Sequence, residues 1–415
     1  MLLNTLIKTV KEQLKMDEET FLELIELLKD EEDFTEEYLL SNKVSGKITS
    51  GLINLLKSNN LIDIQYAYEC EIKDGESEVS DSLKENCNFC NSLLEGSEFH
   101  IVRELYTLKK QLIEEVENKE KKELEDIIDT IYLENFKQLK INLNNVVPFL
   151  GSGVSIPLGL PNWTGLISKM ETGLPNPSDV EQFKEYLKDG DIFNALDILQ
   201  KESLTYRTEE QIKTFIRDYI NKHFRKELSK EYHNIIDILD LNSDFYITTN
   251  YDNALSHYKR KFSFPFILDD IKVMQELFSE KNQRIIHLHG NVEKKESMVV
   301  TEKDYDGIYN DNKNKSILSG IMSQKSFLFI GFSFTDKYFM DMYQLLRAQI
   351  GGNHYIILAD LHKHKAQQLI DKGLIPISIN VNNLKTEKTF ANEINTEYSQ
   401  RIVNSLKVLI KNLLK

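Results

Sequence analysis

NVVPFLGSGVS, residues 145–155, is a short apolar run that stops at Gly-Ser-Gly. Val and Phe favour strands. A short run that is apolar at every position fits a strand covered on both faces, as in a parallel sheet. Glycines at the strand's exit let backbone N–H groups approach an anion with no Cβ in the way. Working outward, the same texture recurs in FYIT (245–248), RIIHL (284–288), SFLFI (326–330), HYIIL (354–358) and IPISI (375–379). Six such runs separated by helical stretches predict an α/β domain over 141–415: a Rossmann-like, six-stranded, parallel, doubly wound sheet. Ligands of such sheets bind at the carboxyl ends of the strands, and every polar or glycine-rich signature here falls at one.

Each signature is ambiguous alone. Gly151, Ser152, Gly153 and Ser155, followed by Gly159, Pro161 and Trp163, fit a phosphate loop, yet many strand–helix turns need glycine. In TTNYD (248–252), Asn250 and Asp252 are poor strand formers at a strand end, which suits a site or an Asx-turn. In HLHG (287–290), a strand-end histidine suits acid–base work or ordinary hydrogen bonding. A metal pair there lacks a carboxylate at ligand spacing. GFSFTD (331–336) offers Gly331 and Ser333 to the second half of a dinucleotide, and Asp360 offers a carboxylate to a ribose hydroxyl.

The first third has a different character. Residues 1–140 hold 17 Lys+Arg against 32 Asp+Glu, which is the whole net charge of −15, while 141–415 hold 34 of each. Nonspecific nucleic-acid binding needs basic surface, so no direct nucleic-acid contact is expected. The acidity serves solubility or meets a basic partner. The region is expected to be a mostly helical assembly or regulatory domain, with a charged helical run over 105–139. KITSGLINLLKSNNLIDIQYAY (47–68) is a helix, an Asn-Asn break and an alternating strand. It reads as the last helix and wing of a winged-helix unit or as a generic helix–turn–strand, and the charge favours the second. Cys70, Cys87, Cys90 and His100 form a weak candidate metal set. Cys-Asn-Phe-Cys has knuckle spacing, but no second pair matches it, so a coincidental knuckle is preferred. Three cysteines in 415 residues, no long apolar run and no signal-like leader point to a reducing cytoplasm and no membrane.

As an ordered set, GSGVS…GxPxW, TTNYD, HLHG and GFSFTD resemble the sirtuin-like (silent information regulator) family over roughly 142–380. The nearest likeness is to the NAD-hydrolysing branch of prokaryotic antiphage defence. The resemblance implies a phosphate loop at Gly151, Ser152, Gly153 and Ser155, and an NAD-binding pair at Asn250 and Asp252. It implies a catalytic histidine at His289, with Asn250 as its catalytic companion, and an adenosine-side loop at Gly331 and Ser333. The helices of about 166–241 become a small lobe. NAD+ is then the substrate, cleaved to ADP-ribose and nicotinamide without a catalytic metal, in a homo-oligomer or beside an operon-encoded HerA-type ATPase. Two departures disfavour protein deacylation: residues 291–325 contain no cysteine for the deacylases' zinc ribbon, and Asn162-Trp163-Thr164 replaces their Asp-Phe-Arg. The alternative is a non-catalytic NAD or ADP-ribose sensor or an assembly subunit.

Overall fold

The computed structural model describes residues 2–258, 266–272, 278, 284–333, 337–381 and 396–415. The chain forms two compact units, Met1–Lys122 and Glu123–Lys415.

In the first unit, α1 (Leu2–Gln13), α2 (Glu18–Lys29), α3 (Glu36–Ser41) and α4 (Gly46–Ser58) precede β1 (Ile62–Cys70), β2 (Glu76–Ser80) and β3 (His100–Leu108), and α5 (Lys110–Ile127) begins in this unit and ends in the next. Asp17 and Thr35 cap α2 and α3 by accepting N–H groups of Thr20 and Tyr38, which fixes where these helices begin. Phe21, Ile25, Leu28, Leu52 and Leu56 are wholly enclosed. The sheet is antiparallel in the order β2-β1-β3. Phe34, between α2 and α3, exchanges two backbone hydrogen bonds of 2.8 Å with Tyr106 of β3. From α2 onward, and with β2 set aside as an insertion, the order helix, strand-like contact, helix, helix, strand, strand matches that of a winged helix. The charge that argued against this reading bears on nucleic-acid affinity and not on topology.

In the second unit, α6 (Leu133–Ile141) leads into β4 (Val146–Leu150). The helical lobe follows: α7 (Trp163–Ser168), α8 (Pro177–Lys188), α9 (Ile192–Glu202) and α10 (Glu209–His223). Asn162, Asp191 and Thr208 cap three of these helices. The lobe buries Phe183, Leu199, Ile212 and Ile216 in a core of its own, which Tyr251, Val292 and Val300 complete. Lys213 of α10, 4% exposed, meets Asp304 at 3.1 Å and so ties the lobe to the segment after the histidine turn.

The remaining elements are α11 (Ile235–Asp240), β5 (Phe245–Thr248), α12 (Ala254–Tyr258), β6 (Phe266–Ile267), β7 (Arg284–His287), α13 (Glu302–Tyr309), α14 (Asn312–Gln324), β8 (Ser326–Ile330), α15 (Lys337–Ile350), β9 (His354–Ala359), α16 (Lys363–Asp371), β10 (Leu374–Ile379) and α17 (Glu397–Leu414). Seven strands pair in parallel in the order β10-β9-β8-β4-β5-β7-β6. The sheet is Rossmann-like as expected. The extra strand is the two-residue edge β6, too short to leave a pattern in sequence. Alternation sends Val147 and Phe149 to one enclosed face and Val146 and Leu150 to the other. The first strand, β4, lies between β5 and the later β8. The chain reverses its winding there, which opens a crevice at the carboxyl ends.

The sequence placed the domain division at 140. Between there and Glu123, however, Ile127, Ile128, Tyr132, Phe136 and Leu139 are buried in the core of the sheet unit. Asn135 Nδ2 donates to Pro376 O at 2.7 Å, and the N–H of Asn380 donates to Ile127 O at 2.6 Å.

Candidate active site

Strands β8, β4, β5 and β7 are neighbours, so the turns after them form one rim. After β4 the chain enters a tight 3-10 turn, Ser152–Ser155, and the first regular helix waits until Trp163. The sequence suggested glycines opening a helix. Their immediate physical reason is the neighbouring turn after β8. A Cβ on Gly151 would lie 2.5 Å from Gly331 O, and one on Gly153 would lie 2.8 Å from Gly331 Cα. Gly331 itself has φ +73°, which glycine adopts without penalty. Hydrogen bonds lock the two turns: Gly151 N–H to Ile330 O at 2.9 Å and Gly153 N–H to Gly331 O at 3.0 Å. Ser152, Gly153 and Gly331 are half-buried and Ser333 is exposed, so these lie on the accessible side of the rim. Phe334, Thr335 and Asp336 of the fourth signature lie outside the described residues.

The turn after β5 is bound to the turn after β4. Asn250 Nδ2 donates to Gly151 O and to Ser155 Oγ, both at 3.1 Å. Ser155 Oγ donates to Asp252 Oδ2 at 2.8 Å, and Asp252 Oδ1 accepts the N–H of Ala254 at 3.0 Å. Asp252 is 7% exposed, and burial raises its pKa above the ordinary carboxylate value. Thus Gly151, Ser155, Asn250 and Asp252 form one hydrogen-bonded group.

The histidines take different places. His287, the last residue of β7, has Nδ1 at 3.0 Å from Asn250 O, and the amide of Asn291 lies 3.2 Å from its Nε2. His289 follows, with Nε2 hydrogen-bonded to the Tyr309 hydroxyl. The Tyr305 and Tyr309 rings stand 5.1 and 5.8 Å from its ring. Burial pushes the pKa of His287 down to about 4 and that of His289 to about 3, so both imidazoles are neutral at physiological pH. Gly290 makes the turn with φ +80°, and a Cβ there would stand 2.0 Å from Ser297 O.

Three contributors escaped the sequence reading: Tyr309, Tyr305 and Asn291. All sit downstream of the histidine turn in a stretch noted chiefly for lacking cysteine. Asp360 is differently employed from the sequence suggestion. Its oxygens accept the Val381 N–H at 3.2 Å and the Tyr398 hydroxyl at 3.0 Å, which makes it a clamp on the chain after β10. In the first unit, the weak candidates converge: one ligand atom each from Cys70, Cys87, Cys90 and His100 lies within 4.8 Å of all the others.

At the carboxyl ends of this doubly wound sheet, hydrogen bonds join the two glycine turns, the Asn250 amide and the buried His287. The chain matches the SIR2-like domain family over residues 244–377. It is 26% identical over 234 residues to the NAD(+) hydrolase ThsA of Cytobacillus dafuensis, covering 54% of this chain and 43% of that protein. The NAD(+) hydrolase ThsA of Bacillus cereus (strain MSX-D12) is 27% identical over 300 residues, 67% of this chain and 57% of the relative. That of Enterococcus faecium is 25% identical over 230 residues, 54% and 45%. The chain spans about half the length of the curated relatives it matches. Among the described residues, no helix is long and apolar enough to cross a membrane.

Proposed function

We propose that the crevice hydrolyses NAD+ to ADP-ribose and nicotinamide, and that the protein acts in antiphage defence by depleting cellular NAD. The observation carrying this reading is the linkage of Gly151, Ser155, Asn250 and Asp252 at the switch point, with His289 two residues beyond the next strand. In this reading Gly151, Ser152, Gly153 and Ser155 receive the pyrophosphate, and Gly331 and Ser333 receive the adenosine side. The bond between ribose C1′ and nicotinamide breaks with its electron pair moving onto the pyridinium nitrogen, so nicotinamide departs neutral. Water adds at C1′ and releases a proton. The leaving group needs no acid and the reaction needs no metal. The protein must hold the oxocarbenium-like ribose and place one water.

Asn250 orients that water or a ribose hydroxyl, and Asp252 fixes the Asn250 turn. His289, kept neutral by burial and steadied by Tyr309, accepts a hydrogen bond from the ribose hydroxyls. The protein works in the cytoplasm as a homo-oligomer or with a HerA-type ATPase, and the acidic first unit governs assembly.

One observation favours the sensor alternative: the Asn250 amide already serves Gly151 and Ser155, as a purely structural tie would. Incubating the full chain with NAD+ and separating the products by chromatography distinguishes the two. Equal amounts of ADP-ribose and nicotinamide are expected. Saturable binding with NAD+ left intact would establish the sensor instead.

A further inference from the structure

The first unit contains a group that the NAD chemistry does not use. β1 and β3 form a wing whose last paired residues are Cys70 and His100, directly opposite one another. They stand at the mouth of an insert, 71–99, which carries Cys87 and Cys90. We propose that Cys70, Cys87, Cys90 and His100 bind one zinc ion that holds this insert folded.

Geometry comes first. The four ligand atoms all lie within 4.8 Å of one another, and Cys90 Sγ is 3.2 Å from His100 Nε2. With Zn–S of about 2.3 Å and Zn–N of about 2.0 Å, tetrahedral ligands stand roughly 3.5–3.8 Å apart. The side chains are therefore gathered almost as tightly as an ion would hold them.

The Phe89 N–H reaches Cys87 Sγ at 3.4 Å. Such a donor stabilises negative sulfur, the form that ligates metal. Left-handed residues turn the chain back after each ligand segment: Asp74 and Gly75 after Cys70, and Asn91 after Cys90. His100 Nδ1 is buried with no hydrogen-bond partner, while Nε2 faces the thiols.

Beyond the pairing of β2 with β1, the insert has little apolar support. Its buried apolar group is Tyr68, Cys70, Cys87 and Leu94, so half of it is the thiols themselves. Segments this short seldom fold on apolar burial alone and commonly use a metal or disulfides. Three thiols and an imidazole are a borderline-soft set that suits zinc. Four protein ligands leave no position for substrate, so the site is structural. It is also separate in sequence from residues 291–325, where deacylating sirtuins carry their ribbon.

The test is metal analysis of the full chain, purified under reducing conditions without chelator, by mass spectrometry and by mercurial release. One zinc per chain is expected. Cobalt exchange should give thiolate-to-metal charge transfer and d–d bands of tetrahedral intensity. Cys87→Ser and His100→Ala should each reduce bound zinc to about a tenth or less, while His100→Cys keeps it. If Cys87→Ser does not fold, the His100→Cys and His100→Ala pair reads the same ligand set. Protein that remains metal-poor after zinc reconstitution, or keeps full zinc in both His100→Ala and Cys87→Ser, would overturn the proposal.

Discussion

The crevice and the wing insert are both clusters of polar side chains, but they differ in how they are satisfied. In the crevice, Asn250, Ser155 and Asp252 satisfy one another and the adjoining backbone. In the insert, three sulfurs and one imidazole nitrogen lie within 4.8 Å of one another. One cluster is complete as protein, whereas the other is complete only around an ion. Large, two-sided sheet cores surround the first, while a handful of buried residues accompanies the second. A site carried by a large core has energy to spare for strained turns. One carried by an insert must supply its own cohesion.

The largest effect that sharpens this contrast comes from moving the chain's start. Beginning at Glu123 keeps Ile127, Ile128, Tyr132, Phe136 and Leu139 in the sheet unit's core, and beginning at Lys140 removes all five. Burial of such side chains contributes about 2 kcal/mol each, so the loss approaches the whole stability of an ordinary domain. The first chain should give a cooperative melt and the second should aggregate, as light scattering and calorimetry will report. Equal melts for both would mean that the 123–139 segment is dispensable.

A smaller effect is expected at the histidine turn. In Gly290→Ala, left-handed backbone strain combines with a Cβ 2.0 Å from the Ser297 carbonyl, which is backbone and cannot swing away. Destabilisation of about 3 kcal/mol is expected. A chemical denaturation curve matching wild type would show that the turn relaxes freely.

Acid should weaken the sheet unit gradually. Burial lowers His287 to about 4 and His289 to about 3, and His233 and His354 likewise to about 4. Below an unfolded-state pKa of about 6.5 the unfolded chain binds protons that the folded chain refuses. Stability contributed by these groups is present above about pH 6.5 and is lost as pH falls toward 4. Asp252, with a raised pKa, acts in the opposite direction, one group against four. Denaturation midpoints at pH 7.5, 6 and 5 should fall in that order, and midpoints that rise toward pH 5 would reverse the assignment of neutral imidazoles.

Much of the sheet was legible because its strands are short apolar runs ended by polar or glycine signatures, and six of the seven leave that trace. The two residues of β6 do not. Asn250, Asp252 and the glycines were found because a residue unsuited to a strand stands out at a strand's end. Tyr309 and Tyr305 were not found, because an aromatic residue in a helix looks like core until the fold brings it to His289. The gathering of Cys70 and His100 was not legible for a related reason. Cys70 and His100 are paired across two strands, a relation between residues thirty positions apart that spacing within a motif does not reveal. The winged-helix order likewise depends on the Phe34–Tyr106 pairing, which links the beginning of the unit to its last strand.

In the proposed reaction Asn250 and His289 serve one and the same step on NAD+. The most direct measurement is NAD+ turnover by the full chain, Asn250→Ala, His289→Ala and the double variant, followed by chromatography of nicotinamide, with circular dichroism confirming that each is folded. Each single variant should lose about 100-fold or more of the wild-type rate, and the double variant little beyond that, as expected of groups acting as a unit. Wild-type turnover in both folded single variants would contradict the claim.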